Sequence, residues 1–210
     1  MGLAVLVLGS SGSGKSTSLR NFEKEDVLIL NVAGKALPFR KKLNNLDLRQ
    51  CNGSERYSVI KQTLSKYKDK CKTFVIDDSQ YLMAFQMFDR AKEVGYGKFT
   101  DIAVEFKSLL DFIANLDKDV IVYLLHHTDT TDNGYIKAKT SGKMIESQLT
   151  LEGLFTIVIM AKNNDGVYKF VTKSDGLNPV KTPIGLFEDI EIDNDLKFVD
   201  SEIRKYYEIG

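Results

Sequence analysis

Gly9-Ser10-Ser11-Gly12-Ser13-Gly14-Lys15-Ser16 has the glycine spacing and terminal Lys-Ser of a P-loop, and it follows directly on the apolar run Leu3-Ala4-Val5-Leu6-Val7-Leu8. Gly9, Gly12 and Gly14 let the backbone turn tightly and bring its N–H groups against phosphate oxygens. Ser10, Ser11, Ser13 and Thr17 complete the phosphate cradle. Lys15 would reach the β- and γ-phosphates, and the Ser16 hydroxyl would ligate Mg²⁺. A helix starting near Lys15 would point the positive end of its dipole at the same anion. The alternative, a flexible Ser/Gly linker, fits poorly because linkers do not follow a buried apolar strand.

A second acidic element completes the chemistry. Thr73-Phe74-Val75-Ile76-Asp77-Asp78 is an apolar strand ending in two carboxylates, the form of a Walker B element. Asp77 would hold Mg²⁺, and Asp78 is placed to orient or deprotonate an attacking water. Val120 to Leu125 then ends in His126-His127 at the carboxyl end of a strand, where a parallel sheet faces its ligand crevice. One of the two histidines would act there as a phosphate sensor, with His127 the catalytic candidate. A metal-binding pair is disfavoured because adjacent residues on a strand point to opposite faces.

The elements that must position these groups follow from hydrophobic pattern. Strands are predicted at Leu3–Leu8, Val27–Val32, Thr73–Asp77, Val120–Leu125, Leu154–Ala161 and Val167–Thr172, the first four as continuous apolar runs covered on both faces. The last two flank an Asp165-Gly166 step and read as an antiparallel hairpin. Helices are predicted at Lys15–Glu23, Ser54–Tyr67, Gln80–Val94, Asp101–Leu116 and Asp195–Tyr207, with a break at Gly95-Tyr96-Gly97. The fold class is α/β, with a central, mainly parallel sheet flanked by helices and the hairpin at one side.

The 210 residues suit one domain, 1–210, with a C-terminal extension from about 174 to 210. With 29 basic and 29 acidic residues there is no global pull toward nucleic acid or membrane, so any nucleic-acid contact must come from a local patch. No apolar run approaches a membrane span and none reads as a signal peptide, so the expectation is a cytoplasmic protein with no membrane partner. Cys51 and Cys71 read as reduced thiols.

Two relatives of the motif are argued against. A guanine reader needs Asn-Lys-x-Asp, and Lys162-Asn163-Asn164-Asp165 has the wrong order within the predicted turn. Small-molecule kinases cluster arginines on the transferring phosphoryl group, whereas Arg20, Arg40, Arg49, Arg56, Arg90 and Arg204 are scattered.

Taken with Gly95-Tyr96-Gly97-Lys98-Phe99, Lys139-Thr140-Ser141-Gly142-Lys143, Leu151-Glu152-Gly153-Leu154-Phe155, Lys181-Thr182-Pro183-Ile184-Gly185-Leu186-Phe187-Glu188 and Asn194-Asp195-Leu196, the chain resembles phage-encoded RecA/RadA-like ATPases. Some of these are associated with single-strand annealing and recombination. The resemblance implies a RecA-like P-loop fold, ATP and Mg²⁺ as cofactors, and ATP hydrolysis stimulated by single-stranded DNA. It also implies self-association into a ring or filament, phage single-strand-binding or replication partners, and the host cytoplasm as location.

By the same resemblance, segments 95–100 and 128–143 would face DNA, offering Tyr96, Lys98, Tyr135, Lys137, Lys139 and Lys143. A solvated surface loop is the competing reading of the second segment. Lys173 and Lys181 would complete a neighbouring subunit's site. RecA-like proteins place a catalytic glutamate after the second strand, yet Leu28 to Lys35 carries no carboxylate. Either Asp78 takes that role or hydrolysis is slow. A nucleotide kinase and a low-turnover assembly switch remain the alternative functions.

Overall fold

The computed structural model describes residues 1–141, 146 and 150–210. Among these, nine strands form one sheet. In chain order they are β1 (Leu3–Gly9), β2 (Val27–Asn31), β3 (Asn44–Asp47), β4 (Thr73–Asp77), β5 (Ile121–Thr130), β6 (Ile136–Ala138), β7 (Ile157–Asn164), β8 (Val167–Val171) and β9 (Glu191–Asp193). The spatial order is β3-β2-β4-β5-β1-β7-β8-β9, with β6 paired to β5. From β3 to β7 every neighbour is parallel, and β6, β8 and β9 are antiparallel. The expected α/β sheet with a β7–β8 hairpin is therefore present, its turn carrying positive φ at Asp165 (50°) and Gly166 (88°).

Strand alternation divides the core in two. Leu6, Leu30, Ile76, Val122 and Leu124 face one side, covered by α1 (Gly53–Tyr67), α2 (Gln80–Asp89) and α3 (Gly97–Ala114) through Ile60, Leu82, Phe106 and Leu109. Val7, Ile29, Val75, Tyr123 and Ile159 face the other, covered by Leu19 and Phe22 and by α4 (Leu196–Tyr207) through Leu196, Val199 and Ile203. The β-branched residues that dominate these strands are the ones a pleated, two-sided buried sheet favours.

Several expectations need correction. The segment after the P-loop is a short 3₁₀ helix, Ser16–Asn21, and not an α-helix to Glu23. Ser16, Thr17 and Ser18 are weak helix formers, and the Ser18 hydroxyl donates to the Lys15 carbonyl at 2.6 Å, competing with the helical ladder. A helix dipole therefore adds little to this anion site.

The helix predicted to run to Val94 ends at Asp89. The Lys98 ammonium donates to the carbonyls of Arg90 (3.3 Å) and Glu93 (2.9 Å), satisfying groups just beyond its end. The next helix starts at Gly97, so Lys98 to Thr100 lie in its first turn and only Gly95 and Tyr96 belong to the connection. The strand predicted from Leu154 begins at Ile157, because Leu151–Leu154 forms a second 3₁₀ turn. Thr128 to Thr130, expected as loop, extend β5 and pair with Ile136 to Ala138. Lys143 lies outside the described residues.

Candidate functional site

The P-loop lies at the carboxyl end of β1, between the ends of β5 and β7. Gly9 (φ 157°) can carry no side chain, since a Cβ there would stand 2.3 Å from Ser13 Oγ. Gly14 (φ 98°) is covered by Tyr168, 2.6 Å from where its Cβ would be, and by Asn194 at 3.3 Å. Arg20 Nη1 donates to the Asn194 carbonyl at 2.5 Å and Asn21 Nδ2 to Asp195 at 2.7 Å, so the Asn194-Asp195-Leu196 string buttresses the loop from behind.

Among the described residues, no backbone acceptor takes the N–H of Gly12, Gly14 or Lys15. Gly14 and Lys15 are buried and Gly12 is exposed; buried donors without partners are costly, and an anion would satisfy all three. Ser13 Oγ is also buried without a partner. Ser10 and Ser11 line a cavity of about 440 Å³ with Thr128, Met160 and Asn163. A wider cavity of about 700 Å³ lies near the amino ends of β2 and β4, away from this chemistry.

Lys15 is 6% exposed, and its ammonium donates to the carbonyls of Gly9 (2.6 Å) and Ser10 (2.8 Å). Burial lowers its pKa to about 8, against the opposing pull of Asp78 and Asp77. A buried cation held by carbonyl dipoles alone gains when an anion arrives. The Ser16 hydroxyl donates to both Asp77 oxygens, at 2.9 and 3.1 Å. A hydroxyl and a carboxylate side by side are hard oxygen donors, and they fit Mg²⁺, which keeps most of its waters and takes few protein ligands. Thr17 is half-buried, with its carbonyl accepting from Arg20 at 3.2 Å.

The two adjacent carboxylates differ. Burial, then the charge of Asp78, pushes Asp77 up to about 6. For Asp78 burial also acts upward, but hydrogen bonds from His127 and Lys35 outweigh it and hold the carboxyl below its usual value. His127 Nε2 lies 3.2 Å from Asp78 Oδ1, and Lys35 Nζ 2.6 Å from Oδ2. Asp78 sits at φ 62°, a conformation few non-glycine residues hold without support from their surroundings.

The histidines point to opposite faces. His127 joins Asp78, while His126 is fully buried between Ser79 Oγ (2.8 Å at Nδ1) and the Lys139 carbonyl (2.8 Å at Nε2). The carbonyl requires the proton on Nε2, and burial lowers the ring's pKa to about 4, so it is neutral. His126 thus does not face the loop. It ties the residue following Asp78 to the β5–β6 hairpin that carries Tyr135, Lys137 and Lys139.

The remaining candidates are dispersed. Lys137 pairs with Glu146, Lys139 and Tyr135 are exposed, and Tyr96 is largely exposed. Lys173 donates to the Glu188 carbonyl, and Lys181 pairs through its backbone with Val158. Sequence reasoning missed Lys35 because it sought only a carboxylate after β2. The position of Lys35, just past the carboxyl end of a parallel strand, was the available signal.

A family model described as an AAA domain matches residues 1–178. No curated protein matches the chain.

Proposed function

The chain belongs to the AAA-domain family of P-loop ATPases, and on that premise we propose that it hydrolyses ATP with Mg²⁺ and couples the nucleotide to single-stranded DNA. The observation that carries the first part is the Ser16–Asp77 contact at 2.9 Å beside a loop with free amides. The Gly9–Ser16 loop and Thr17 would bind the phosphates, and Lys15 would leave its two carbonyls for the β- and γ-oxygens. Ser16 and Asp77 would hold Mg²⁺, which supplies charge neutralisation at the phosphates. Asp78, kept anionic and oriented by His127 and Lys35, would align the attacking water.

The DNA part is supported by the resemblance to phage RecA/RadA-like recombination ATPases and by one connection. His126 joins the Walker B segment to the hairpin bearing Tyr135, Lys137 and Lys139, so a change at Asp78 has a short rigid path to those side chains. Tyr96 and Lys98 would add a second contact. A ring or filament, with Lys173 or Lys181 reaching a neighbour's nucleotide, and phage replication or recombination partners complete this reading.

Anisotropy of a labelled oligo-dT with ATP, ADP or no nucleotide tests it. ATP should tighten binding, and Tyr135→Ala with Lys139→Ala should weaken it. Identical anisotropy in the three states removes the coupling, and anisotropy equal to that of the free oligonucleotide removes the DNA role. A low-turnover assembly switch is the second reading, favoured by an Asp78 whose two oxygens are both already engaged.

A further inference from the structure

The segment after β2 is fastened in a way that serves one side chain. Asn31, the last residue of β2 and 2% exposed, stands in register with Asp77 on the neighbouring strand. Its Nδ2 donates to the Lys35 carbonyl at 2.7 Å, across a turn in which Gly34 takes φ 62° against Arg49. From this fixed backbone the Lys35 side chain passes the Tyr81 ring, 5.6 Å from its centroid, to Asp78 at 2.6 Å.

The pair is unequal, because the Asp78 side chain is 8% exposed and that of Lys35 59%. The ammonium therefore stands at the solvent boundary of the site with one of its three donors directed inward. Its charge also acts on Lys15 and Asp77, which places it within electrostatic reach of the P-loop lysine and the Ser16–Asp77 pair. Lys15 and Lys35 balance Asp77 and Asp78, and without Lys35 the Asp78 carboxylate would face a terminal phosphate with no cation between them.

Resting on the P-loop nucleotide reading, we propose that Lys35 contacts the terminal phosphate from within the same chain, bridging it to Asp78, and so makes the site distinguish a nucleoside triphosphate from a diphosphate. A lysine suits this because its ammonium is a compact charge with rotatable donors that can hold carboxylate and phosphate together. Asn31 is the positioning residue, since it fixes the backbone from which Lys35 reaches.

Calorimetric titration of ATPγS and of ADP, each with Mg²⁺, tests this in the wild type, Lys35→Ala and Lys35→Arg. The side chain is mostly exposed, so the variants should fold, and thermal unfolding verifies it. Lys35→Ala should lose about tenfold in ATPγS affinity, the scale of one charge-assisted hydrogen bond, while ADP affinity stays within about twofold. Lys35→Arg should recover part of the loss. Unchanged affinities, or equal losses for both nucleotides, overturn the inference. Wild-type protein that binds neither nucleotide overturns the P-loop reading itself, a distinguishable failure.

Discussion

Asp77 and Asp78 are neighbours driven in opposite directions, one up to about 6 by burial and its neighbour's charge, the other down by His127 and Lys35. An acid held below its usual range is a poor proton acceptor, which leaves Asp78 the work of orientation. Asp78→Asn keeps the side chain's shape and tolerates positive φ, so it should fold. Losing that orientation should cut ATP turnover by about 100-fold while nucleotide affinity changes little, as separate rate and binding measurements would show.

His126 gives a pH prediction. Its folded pKa of about 4 lies below the ordinary 6.5, so between these values the unfolded chain binds more protons and stability falls as pH drops. The loss should approach about 3 kcal/mol by pH 4. Melting temperatures from pH 7 to 4.5 should fall less steeply in His126→Gln than in the wild type.

Motif spacing singled out Lys15, Ser16 and Asp77 as candidates, and the structure brings the Ser16 hydroxyl against Asp77. Lys35 was legible only as a residue just past the carboxyl end of β2; nothing local relates it to residues 78 and 127 until the sheet brings β2, β4 and β5 side by side.

Among the elements, continuous apolar runs made β1, β2, β4 and β5 readable, and the Asp165-Gly166 step did the same for the β7–β8 hairpin. Strand β3 was hidden because Asn44-Asn45-Leu46-Asp47 is exposed throughout and carries residues depleted in strands. Its pairing comes from the backbone of β2 alone. The P-loop helix was over-read because the motif implies one, while the Ser-Thr-Ser run and its side-chain bond to the Lys15 carbonyl shorten it.

The loop also depends on a distant element. Gly14→Ala would force a Cβ at φ 98° to within 2.6 Å of Tyr168. Thermal unfolding should show a loss of about 1–3 kcal/mol, and nucleotide titration a weakened site.

For the whole molecule, the residues beyond the family match at 178 contribute β9 and α4. Leu196, Val199 and Ile203 are fully buried against the sheet, and Asp200 accepts from Tyr123 (3.0 Å), Thr73 (3.1 Å) and Arg204 (2.7 Å). Each apolar side chain is worth about 1.5–3 kcal/mol, and together they rival the net stability of a domain. We therefore propose that 174–210 is integral to one folding unit and not a detachable extension. A chain ending at residue 178 should lose its cooperative unfolding transition, which circular dichroism on heating would reveal.

Among the described residues no helix is long and apolar enough to cross a membrane. Charge is balanced overall, so DNA contact would depend on the 95–100 and 128–143 segments and not on a basic surface.

ATP turnover at the P-loop is read by steady-state phosphate release with Mg²⁺, with and without single-stranded DNA, in the wild type and in Lys15→Ala. Release should be slow, accelerated by DNA and abolished by Lys15→Ala under both conditions. Equal rates in the two proteins, or no release by the wild type even with DNA, would contradict turnover at this loop.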